Sequence, residues 1–290
     1  MRILVTGSYG QLGSEIKEIS SEFPQWDYLF TDIDSLDITD EEKVKQFFKN
    51  EKPDFVINCA AYNAVDDAEK DYETARKINA FAPGFIAKSV REANAGFITI
   101  STDYVFSGET WLPYSESDKE EPLTVYGKTK LEGEQLCLSA NPGSIIIRTS
   151  WLYSSYGNNF VKKMLQLGKK NKFLKVVYDQ VGTPTYAADL ARAVFSVIRF
   201  CEKNPKRHIS GIYHFSNEGV ASWYDFARCI FDISKINCKV YPVLSGEFIT
   251  PAKRPHYSVL NKMKIKGTFD LEIPYWKDSL KICLDKISKK

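Results

Sequence analysis

The feature that most constrains the fold is the segment VTGSYGQLG, in which three glycines directly follow a short apolar run. Gly7, Gly10 and Gly13 are spaced three residues apart, between the run RILVT and a helical pattern that begins near Gln11. A strand, a glycine turn and a helix in this order are typical of the βα turn that holds a dinucleotide pyrophosphate. In such a turn Gly7 permits the tight bend, Gly10 lets a phosphate approach the backbone, and Gly13 allows the helix to pack closely.

Short apolar runs alternate with helical patterns through the first half of the chain. The predicted strands are RILVTG, DYLFTD, DFVINCA, GFITIST and SIIIRTSWLY, and helices are predicted near Gln11, Asp40 (with Thr39 as its cap), Asp66 and Leu123. This alternation indicates βαβ units. The sequence therefore predicts an α/β fold with a doubly wound parallel sheet (Rossmann), in a dinucleotide-binding domain over residues 1–150.

The pattern becomes less regular beyond Trp151. The elements predicted there are a strand LKVVYD, a helix from Ala187 to about Phe200, a polar linker CEKNPKRHISG, a strand GIYHFS, a helix SWYDFARCIF, an irregular segment EFITPAKRPHYSVL, and a last helix with Leu280, Leu284 and Ile287 on one side. We expect residues 151–290 to form mainly a smaller C-terminal α/β substrate lobe, with parts that return to the Rossmann core.

Composition narrows the class of partner. The 39 basic and 37 acidic residues leave a net charge of +2. This small net charge predicts no strong overall electrostatic attraction to nucleic acid or to an anionic membrane. The six cysteines form no C-x-x-C pair and have no histidines at zinc-ligand spacing, so we interpret them as reduced thiols. No run approaches the roughly 18 apolar residues of a membrane span. These features predict a cytoplasmic protein with no nucleic-acid or membrane partner.

The segment VYGKTKLEGE places a phenol and an ammonium four residues apart, at Tyr126 and Lys130. At this spacing both lie on one face of a helix. A hydride that reaches a ketone leaves negative charge on the oxygen, so a proton donor must lie within hydrogen-bond reach. A phenol can serve as that acid, and Lys130 is predicted to stabilise the phenolate and so lower the pKa of Tyr126. The pair alone is also common on exposed helices.

A hydroxyl that orients the carbonyl would complete this set, and TISTDYVFSG offers two. Ser101 and Thr102 are adjacent, so alternation along a strand places them on opposite faces and only one can face the cofactor.

Asp32 follows the second predicted strand, about twenty residues beyond the glycine turn, where a carboxylate can accept hydrogen bonds from ribose hydroxyls. It would repel a 2′-phosphate, and Gln11 rather than an arginine follows Gly10. The sequence therefore favours NADH, with NADPH tolerated. The alternative for Asp32 is an ordinary turn aspartate.

The glycine spacing together with Tyr126 and Lys130 resembles the extended short-chain dehydrogenase/reductase family. Within that family the motifs GSYGQLG, AAYNAVDDAE, STDYVFSG, YGKTKLEGE, RTSWLY, DQVGTPTYAADLA and KRPHYSVL are similar, in this order from Gly7 to about Leu260, to those of the dTDP-4-dehydrorhamnose reductases. The resemblance implies NAD(P)H-dependent reduction of the 4-keto group of a nucleotide sugar, dTDP-4-dehydro-6-deoxy-L-mannose, to dTDP-L-rhamnose.

The resemblance also implies residue roles. Tyr126 is the proton donor, Lys130 holds the nicotinamide ribose and the phenol, and Thr102 rather than Ser101 faces the carbonyl. The implied cofactor contacts are Gly7, Gly10, Gln11, Leu12, Gly13, Asp32, Asp37, Ile38, Ala60, Ala61, Tyr62, Tyr126 and Lys130. The implied substrate contacts are Thr102, Asp103, Trp151 and Arg254.

Two of these substrate contacts have open alternatives. Trp151 would line the pocket or act as an aromatic plug between the lobes. Arg254 would pair with the diphosphate as a planar fork, or is a surface arginine in a loop.

Several positions depart from the family pattern. Asn63 stands where threonine is usual and Ser107 where aspartate is usual, so local hydrogen bonding near the pocket is expected to differ. Some members form a homodimer through magnesium bound by acidic residues, and this chain offers Glu15 and Asp189 at those places. Because no third ligand can be placed, we expect no essential metal, and a homodimer stays open.

Two other functions compete with a reductase. Nucleotide-sugar dehydratases and epimerases are the nearest, but the dehydratases carry a glutamate where Tyr104 follows Asp103, and a tyrosine is a poor base for elimination. A non-catalytic subunit, similar to the regulatory subunit of methionine adenosyltransferase, is the other. The complete set of Thr102, Tyr126 and Lys130 favours catalysis.

Overall fold

The computed structural model describes residues 1–205 and 209–289. The strands are β1 (Arg2–Thr6), β2 (Asp27–Phe30), β3 (Phe55–Asn58), β4 (Gly96–Thr102), β5 (Ile145–Thr149), β6 (Leu152–Tyr153), β7 (Phe173–Val177), β8 (Val181–Gly182), β9 (Thr185–Tyr186), β10 (Gly211–His214), β11 (Ala221–Ser222) and β12 (Lys239–Val243).

The helices alternate with these strands through most of the chain. They are α1 (Gln11–Ile19), α2 (Glu41–Glu51), α3 (Val65–Ala68), α4 (Tyr72–Arg76), α5 (Ala82–Glu92), α6 (Val125–Ala140), α7 (Phe160–Lys170), α8 (Ala187–Lys203), α9 (Trp223–Ser234), α10 (Met263–Phe269) and α11 (Trp276–Ser288). Short 3₁₀ turns cover Ser20–Glu22, Asp103–Val105 and Ser245–Glu247, and a π-helical turn covers Lys77–Phe81.

Six parallel strands form the central sheet in the order β10, β5, β4, β3, β1, β2. The chain first winds outward from β1 to β2, and then crosses back to β3 on the other side of β1. Ligands bind at such a reversal, outside the carboxyl ends of the strands. The predicted doubly wound parallel sheet is confirmed, and the reversal places the end of β1 beside the end of β3.

The strand side chains alternate between two apolar layers. Ile3, Val5 and Ile57 belong to the layer that includes residues of α1 and α8, whereas Leu4 and Val56 belong to the layer that includes residues of α2 and α5. Alternation with a period of two is what a sheet buried on both faces requires. Both faces are therefore covered, and the polar edge at the carboxyl ends is left for a ligand.

A separate apolar cluster forms in the second half of the chain, from residues of α7, α9 and α11. The parallel pair β7 and β12, which lies outside the central sheet, belongs to the same part of the chain. Strand β10 and helix α8 return to the first half, where β10 pairs with β5 and α8 packs on α1. The assignment of the second half to substrate binding stays a prediction.

Several predicted elements differ in detail. The predicted strand SIIIRTSWLY is divided into β5 and β6, because Trp151 adopts a left-handed φ of 46°. The helix predicted near Asp66 is divided into α3, α4, a π-helical turn and α5. Asp40, not Thr39, caps α2 by accepting the Lys43 N–H at 3.1 Å, since Thr39 donates its hydroxyl to Asp37.

The polar linker predicted after Phe200 is described only in part. Helix α8 continues through Lys203, and residues 206–208 of the linker lie outside the described residues. Within residues 1–205 and 209–289, no helix is long and apolar enough to cross a membrane.

Candidate active site at the carboxyl ends of the strands

The glycine turn lies directly against the end of β3. Gly7 has a φ of 66°, and a Cβ atom there would lie 2.6 Å from the backbone nitrogen of Ala60. A Cβ on Gly13 would lie 2.3 Å from the carbonyl oxygen of Gly7. Only glycine fits at either position, but Gly13 allows α1 to pack on the turn itself rather than on the sheet.

The N-terminus of α1 faces the same space. Gly10 precedes the helix, and the helical hydrogen bonds begin with the Ser14 N–H, which donates to the Gly10 carbonyl at 3.0 Å. The N–H groups of Gln11, Leu12 and Gly13 therefore have no acceptor within the helix, which favours an anion at this end. The Leu12 side chain is buried in the core, so this residue offers a ligand its backbone only.

A cavity of about 300 Å³ continues from the turn along the ends of β1, β2 and β3. Seven of the predicted cofactor contacts line it: Gly7, Gly10, Asp32, Asp37, Ile38, Ala60 and Ala61. Sequence reasoning missed Ile33, Leu36, Thr39, Cys59, Asn63 and Ile78 as lining residues. Six of the predicted contacts lie outside this lining: Gln11, Leu12, Gly13, Tyr62, Tyr126 and Lys130.

The acidic end of the cavity is held by backbone donors. The Asp32 carboxylate accepts the N–H of Tyr9 at 2.8 Å and the N–H of Ile33 at 2.9 Å. The Tyr9 hydroxyl donates to Asp34 at 2.9 Å. No Lys or Arg occurs among the described residues that line the cavity. This end therefore suits hydroxyl donors and disfavours a phosphate dianion.

The hydroxyls of Tyr126 and Thr102 meet at the carboxyl end of β4. Thr102 ends that strand, and Thr124 caps α6 by accepting the Gly127 N–H at 3.0 Å, which fixes Tyr126 in the first turn of the helix. Burial raises the pKa of Tyr126 to about 12, although a hydrogen bond with the Thr102 side chain works in the opposite direction. The Tyr126 hydroxyl also donates to Asn63 at 3.4 Å.

Lys130 lies one turn further along α6 and is 5% exposed. Its ammonium donates to the backbone carbonyl of Ile100 at 2.6 Å. Burial lowers the pKa of Lys130 to about 8, against the opposing charge of Glu134. The predicted lowering of the Tyr126 pKa by Lys130 is therefore not seen in this structure, because burial dominates the environment of the phenol.

Ser101 and Thr102 do face opposite sides of β4. The Ser101 hydroxyl donates to the buried carboxylate of Glu134, away from Tyr126. The Thr102 hydroxyl donates to Asp103 at 3.1 Å and accepts the Tyr104 N–H. The geometry thus brings Thr102, and not Ser101, to the phenol.

Asn79 is a residue of this site that sequence reasoning missed. Its side chain is buried, accepts the Tyr62 N–H at 2.9 Å and donates to the Tyr62 carbonyl at 3.1 Å. It also donates to Thr129 on α6 at 3.3 Å. Asn79 therefore joins the segment AAYN to the helix that carries Tyr126. An asparagine inside a predicted helix was the only signal for it.

Asp103 and Tyr104 lie next to Tyr126, and Arg254 lies next to Tyr104. Asp103 is 2% exposed, and burial raises its pKa to about 7 against hydrogen bonds from Ser258 and Thr102. Tyr104 packs edge-on against Tyr126, with ring centroids 5.6 Å apart. Arg254 lies in a loop, its side chain is 23% exposed, and it pairs with Asp66 at 2.8 Å, so both its contact with a diphosphate and the alternative of a surface arginine stay predictions.

Trp151 joins the two halves of the chain. Its indole stacks face to face on Trp223 of α9, with ring centroids 3.6 Å apart and planes within 7°. It also lies against Gly182, where a Cβ atom would be 2.7 Å from the indole. The plug contact is therefore present, and contact with a substrate stays a prediction.

Glu15 and Asp189 are each engaged by other side chains. Glu15 accepts from Lys286 at 2.8 Å and from Ser154 at 2.6 Å, and it is fully buried. Asp189 accepts from Asn217 at 2.7 Å and from Ser279 at 2.5 Å. Among the residues that the structure describes, no three His, Cys, Asp or Glu side chains are grouped to hold a metal ion. Both carboxylates are thus paired with side chains of the same chain, and the absence of an essential metal stays a prediction.

Known proteins are similar to this chain in sequence and in fold over nearly its whole length. The family described as the RmlD substrate binding domain matches residues 1–289. The dTDP-4-dehydrorhamnose reductase of Aggregatibacter actinomycetemcomitans is 39% identical over 287 residues, which cover 97% of this chain and 97% of that protein.

The solved structures of two dTDP-4-dehydrorhamnose reductases have folds similar to that of this chain. The enzyme of Clostridium acetobutylicum superposes with a TM-score of 0.93 at 47% identity, covering 99% of this chain and 100% of that one. The enzyme of Bacillus anthracis, in complex with NADP, superposes with a TM-score of 0.92 at 37% identity, covering 98% of this chain and 99% of that one.

The glycine turn supplies a direct test of the cavity. Gly7→Ala places a methyl group against Ala60 at a positive φ, so we expect a loss of about 1–3 kcal/mol in the free energy of unfolding and a marked loss of NADH affinity. Urea denaturation and fluorescence titration measure the two effects. Gly246→Ala is the matched control, because a Cβ there has no heavy atom within 4 Å. Unchanged NADH affinity in Gly7→Ala would contradict the assignment.

Proposed function

We propose that this chain, which belongs to the RmlD substrate binding domain family, reduces the 4-keto group of dTDP-4-dehydro-6-deoxy-L-mannose to give dTDP-L-rhamnose. The protein is an NAD(P)H-dependent oxidoreductase of nucleotide-sugar metabolism. The resemblance of its motifs to the dTDP-4-dehydrorhamnose reductases is confirmed by the relatives.

One observation carries the proposal. The phenol of Tyr126 hydrogen-bonds Asn63, a residue that also lines the cavity holding Gly7 and Asp32. The proposed proton donor is therefore joined through Asn63 to a cavity whose acidic end suits an adenosine ribose. A dinucleotide bound along this cavity would bring its nicotinamide towards Tyr126 and Thr102.

The reaction needs a proton at the oxygen that becomes a hydroxyl, while the bound nicotinamide cofactor supplies the hydride. Because burial keeps the Tyr126 pKa near 12, the phenol is protonated at neutral pH and can donate. Thr102 offers a second hydrogen bond to the same oxygen and fixes its position. Lys130 is proposed to hold the nicotinamide ribose with its ammonium, as long as the pH stays below its pKa of about 8.

The surroundings of Tyr126 also argue against elimination. Tyr104 occupies the place after Asp103 where a dehydratase would need a base, and burial raises its pKa far above neutrality. It therefore stays protonated and cannot remove a carbon-bound proton. The same observation favours a reductase over a dehydratase.

Asp103, Trp151 and Arg254 are proposed to contact the sugar nucleotide. Asp103 lies beside Thr102 at the reacting end, where its carboxyl can hydrogen-bond a sugar hydroxyl. Arg254 carries a guanidinium that interacts with Asp66 and Tyr104, and it is proposed to pair with the diphosphate in exchange for Asp66. We place the protein in the cytoplasm, where nucleotide sugars and NAD(P)H occur and where its free thiols stay reduced.

The activity is tested by following NADH or NADPH oxidation with dTDP-4-keto-6-deoxyglucose and the 3,5-epimerase that forms the substrate. Tyr126→Phe removes the proton but keeps the ring, so we expect normal cofactor binding and a loss of about 10²–10⁴ in kcat. Tyr178→Phe, an exposed tyrosine, is the matched control. Wild-type turnover in Tyr126→Phe would refute the assigned acid, and oxidation that ignores the sugar would refute the activity.

The acidic cavity end predicts the cofactor preference. Because Asp32 lies where a 2′-phosphate would approach and no cation lines the cavity, we expect a lower KM for NADH than for NADPH. Asp32→Ser should narrow the difference by lowering the KM for NADPH. Asp27→Asn, which changes an exposed carboxylate outside the cavity, should leave both values unchanged. A wild-type preference for NADPH would contradict this reading.

The pairing of Glu15 with Lys286 predicts that divalent metal is not required. Incubation with EDTA should leave turnover, melting temperature and elution volume in size-exclusion chromatography unchanged. A homodimer, if formed, would then persist without metal. If EDTA abolished activity or a dimer, and magnesium restored what was lost, the ion would be shown to displace Lys286 from Glu15.

A further inference from the structure

Three residues on one face of α6 engage three successive residues at the end of β4. Lys130 donates to the Ile100 carbonyl, Glu134 accepts from the Ser101 hydroxyl, and Tyr126 meets the Thr102 side chain. Tyr126, Lys130 and Glu134 are spaced four residues apart, so they share one side of the helix. The side chains of Tyr126, Lys130 and Glu134 thus all contact the carboxyl end of β4.

Glu134 is the residue of these three that lies farthest along the helix from Tyr126, and it forms a buried ion pair with Arg148. It is 3% exposed and accepts from Arg148 twice, from Nε at 2.9 Å and from Nη2 at 2.6 Å. Arg148 is fully buried on β5, and its guanidinium carbon lies 5.1 Å from the Phe106 ring centroid. Its Nη2 also donates to Glu120 at 2.7 Å.

Stability alone does not account for this arrangement. Replacing a buried ion pair with apolar side chains is often neutral or stabilising, whereas removing one partner is costly. The pair lies beside a second buried cation, Lys130, whose burial disfavours the ammonium. Lys130 lies one helical turn from Glu134 on the same side of α6, and the negative charge of Glu134 acts on its ammonium without a direct ion pair.

We propose that Glu134 is a positioning residue of the reaction, whose carboxylate keeps Lys130 an ammonium and holds α6 in the register that brings Tyr126 to Thr102. This inference rests on the proposed function for the roles of Tyr126 and Lys130, and adds a residue two helical turns from the proton donor that touches no reactant.

The electrostatics agree with this geometry. The charge of Glu134 raises the pKa of Lys130, against the burial that lowers it to about 8. Burial also raises the pKa values of the neighbouring thiols, that of Cys137 to about 12, so both thiols stay neutral where Lys130 titrates. The titratable and charged groups that face Lys130 and Glu134 are Tyr126, Cys137, Cys59, Arg148 and, beyond Arg148, Glu120.

The test is Glu134→Gln, which keeps the shape and removes the charge. Without the counter-charge the Lys130 pKa falls, so the ammonium is lost at lower pH. We expect the alkaline limbs of kcat and of NADH affinity, measured between about pH 6 and pH 10, to move down by about one pH unit. Glu134→Asp, which keeps the charge, should restore the wild-type limb.

A matched control lies on the same helix. Glu132 forms a similar paired contact with Arg76, at 2.6 Å and 2.9 Å, but faces away from β4 and is partly exposed. Glu132→Gln should leave both pH limbs in place. A folded Glu134→Gln protein with the wild-type limbs would overturn the proposal, as would an equal shift in Glu132→Gln.

If Glu134→Gln does not fold, the double variant Glu134→Leu, Arg148→Met removes both charges of the pair. It should fold, because both partners of the buried pair are replaced together, and its limbs should still lie at lower pH, because it also lacks the negative charge of Glu134. If the alkaline limbs of this double variant lay at the wild-type pH, Glu134 would have a structural role only, and the proposal would be overturned. The NADH affinity limb needs no sugar, so it tests this inference even if the wild-type protein fails to reduce the expected substrate.

Discussion

The close packing of α6 on the end of β4 is the contact on which the site depends. Thr124 caps the helix, Asn79 ties it to the segment after β3, and Lys130 anchors it to the Ile100 carbonyl. The Lys130 contact joins the helix to β4, and the Asn79 contact joins it to the segment that follows β3. The position of Tyr126 is therefore tied to the ends of two neighbouring strands of the sheet. Rigid elements hold reacting groups more closely than loops can.

Burial sets the protonation of the reacting groups. The same exclusion of water raises the pKa of Tyr126, lowers that of Lys130 and raises that of Asp103 to about 7. In each case burial favours the uncharged form, which is the expected result of removing a charge from water. The chain therefore needs fixed partners for the charges it keeps, and Glu134, Arg148 and Glu120 form such a set.

Local chemistry could be predicted from the sequence, and long-range pairing could not. The glycine turn, the alternating strands and the Tyr126, Lys130 spacing are patterns within a few residues, and the structure places them as expected. The departure at Asn63 was also visible, and the structure gives it a hydrogen bond from Tyr126. The partners of Glu15 and Asp66 were not visible, because Lys286 and Arg254 lie far away in the chain. Trp151 was seen as an aromatic, but nothing in its neighbours predicted a left-handed backbone.

The ion pair between Glu15 and Lys286 joins α1 to α11 across 271 positions of sequence. Chains are made from the N-terminus and their early segments begin to fold during synthesis. The Glu15 carboxylate can therefore pair with the Lys286 ammonium only after α11 has left the ribosome. Until then, α1 contains a carboxylate that lacks the cation with which it is buried in the folded chain. The packing of α1 with this carboxylate fully paired thus depends on the last helix of the structure.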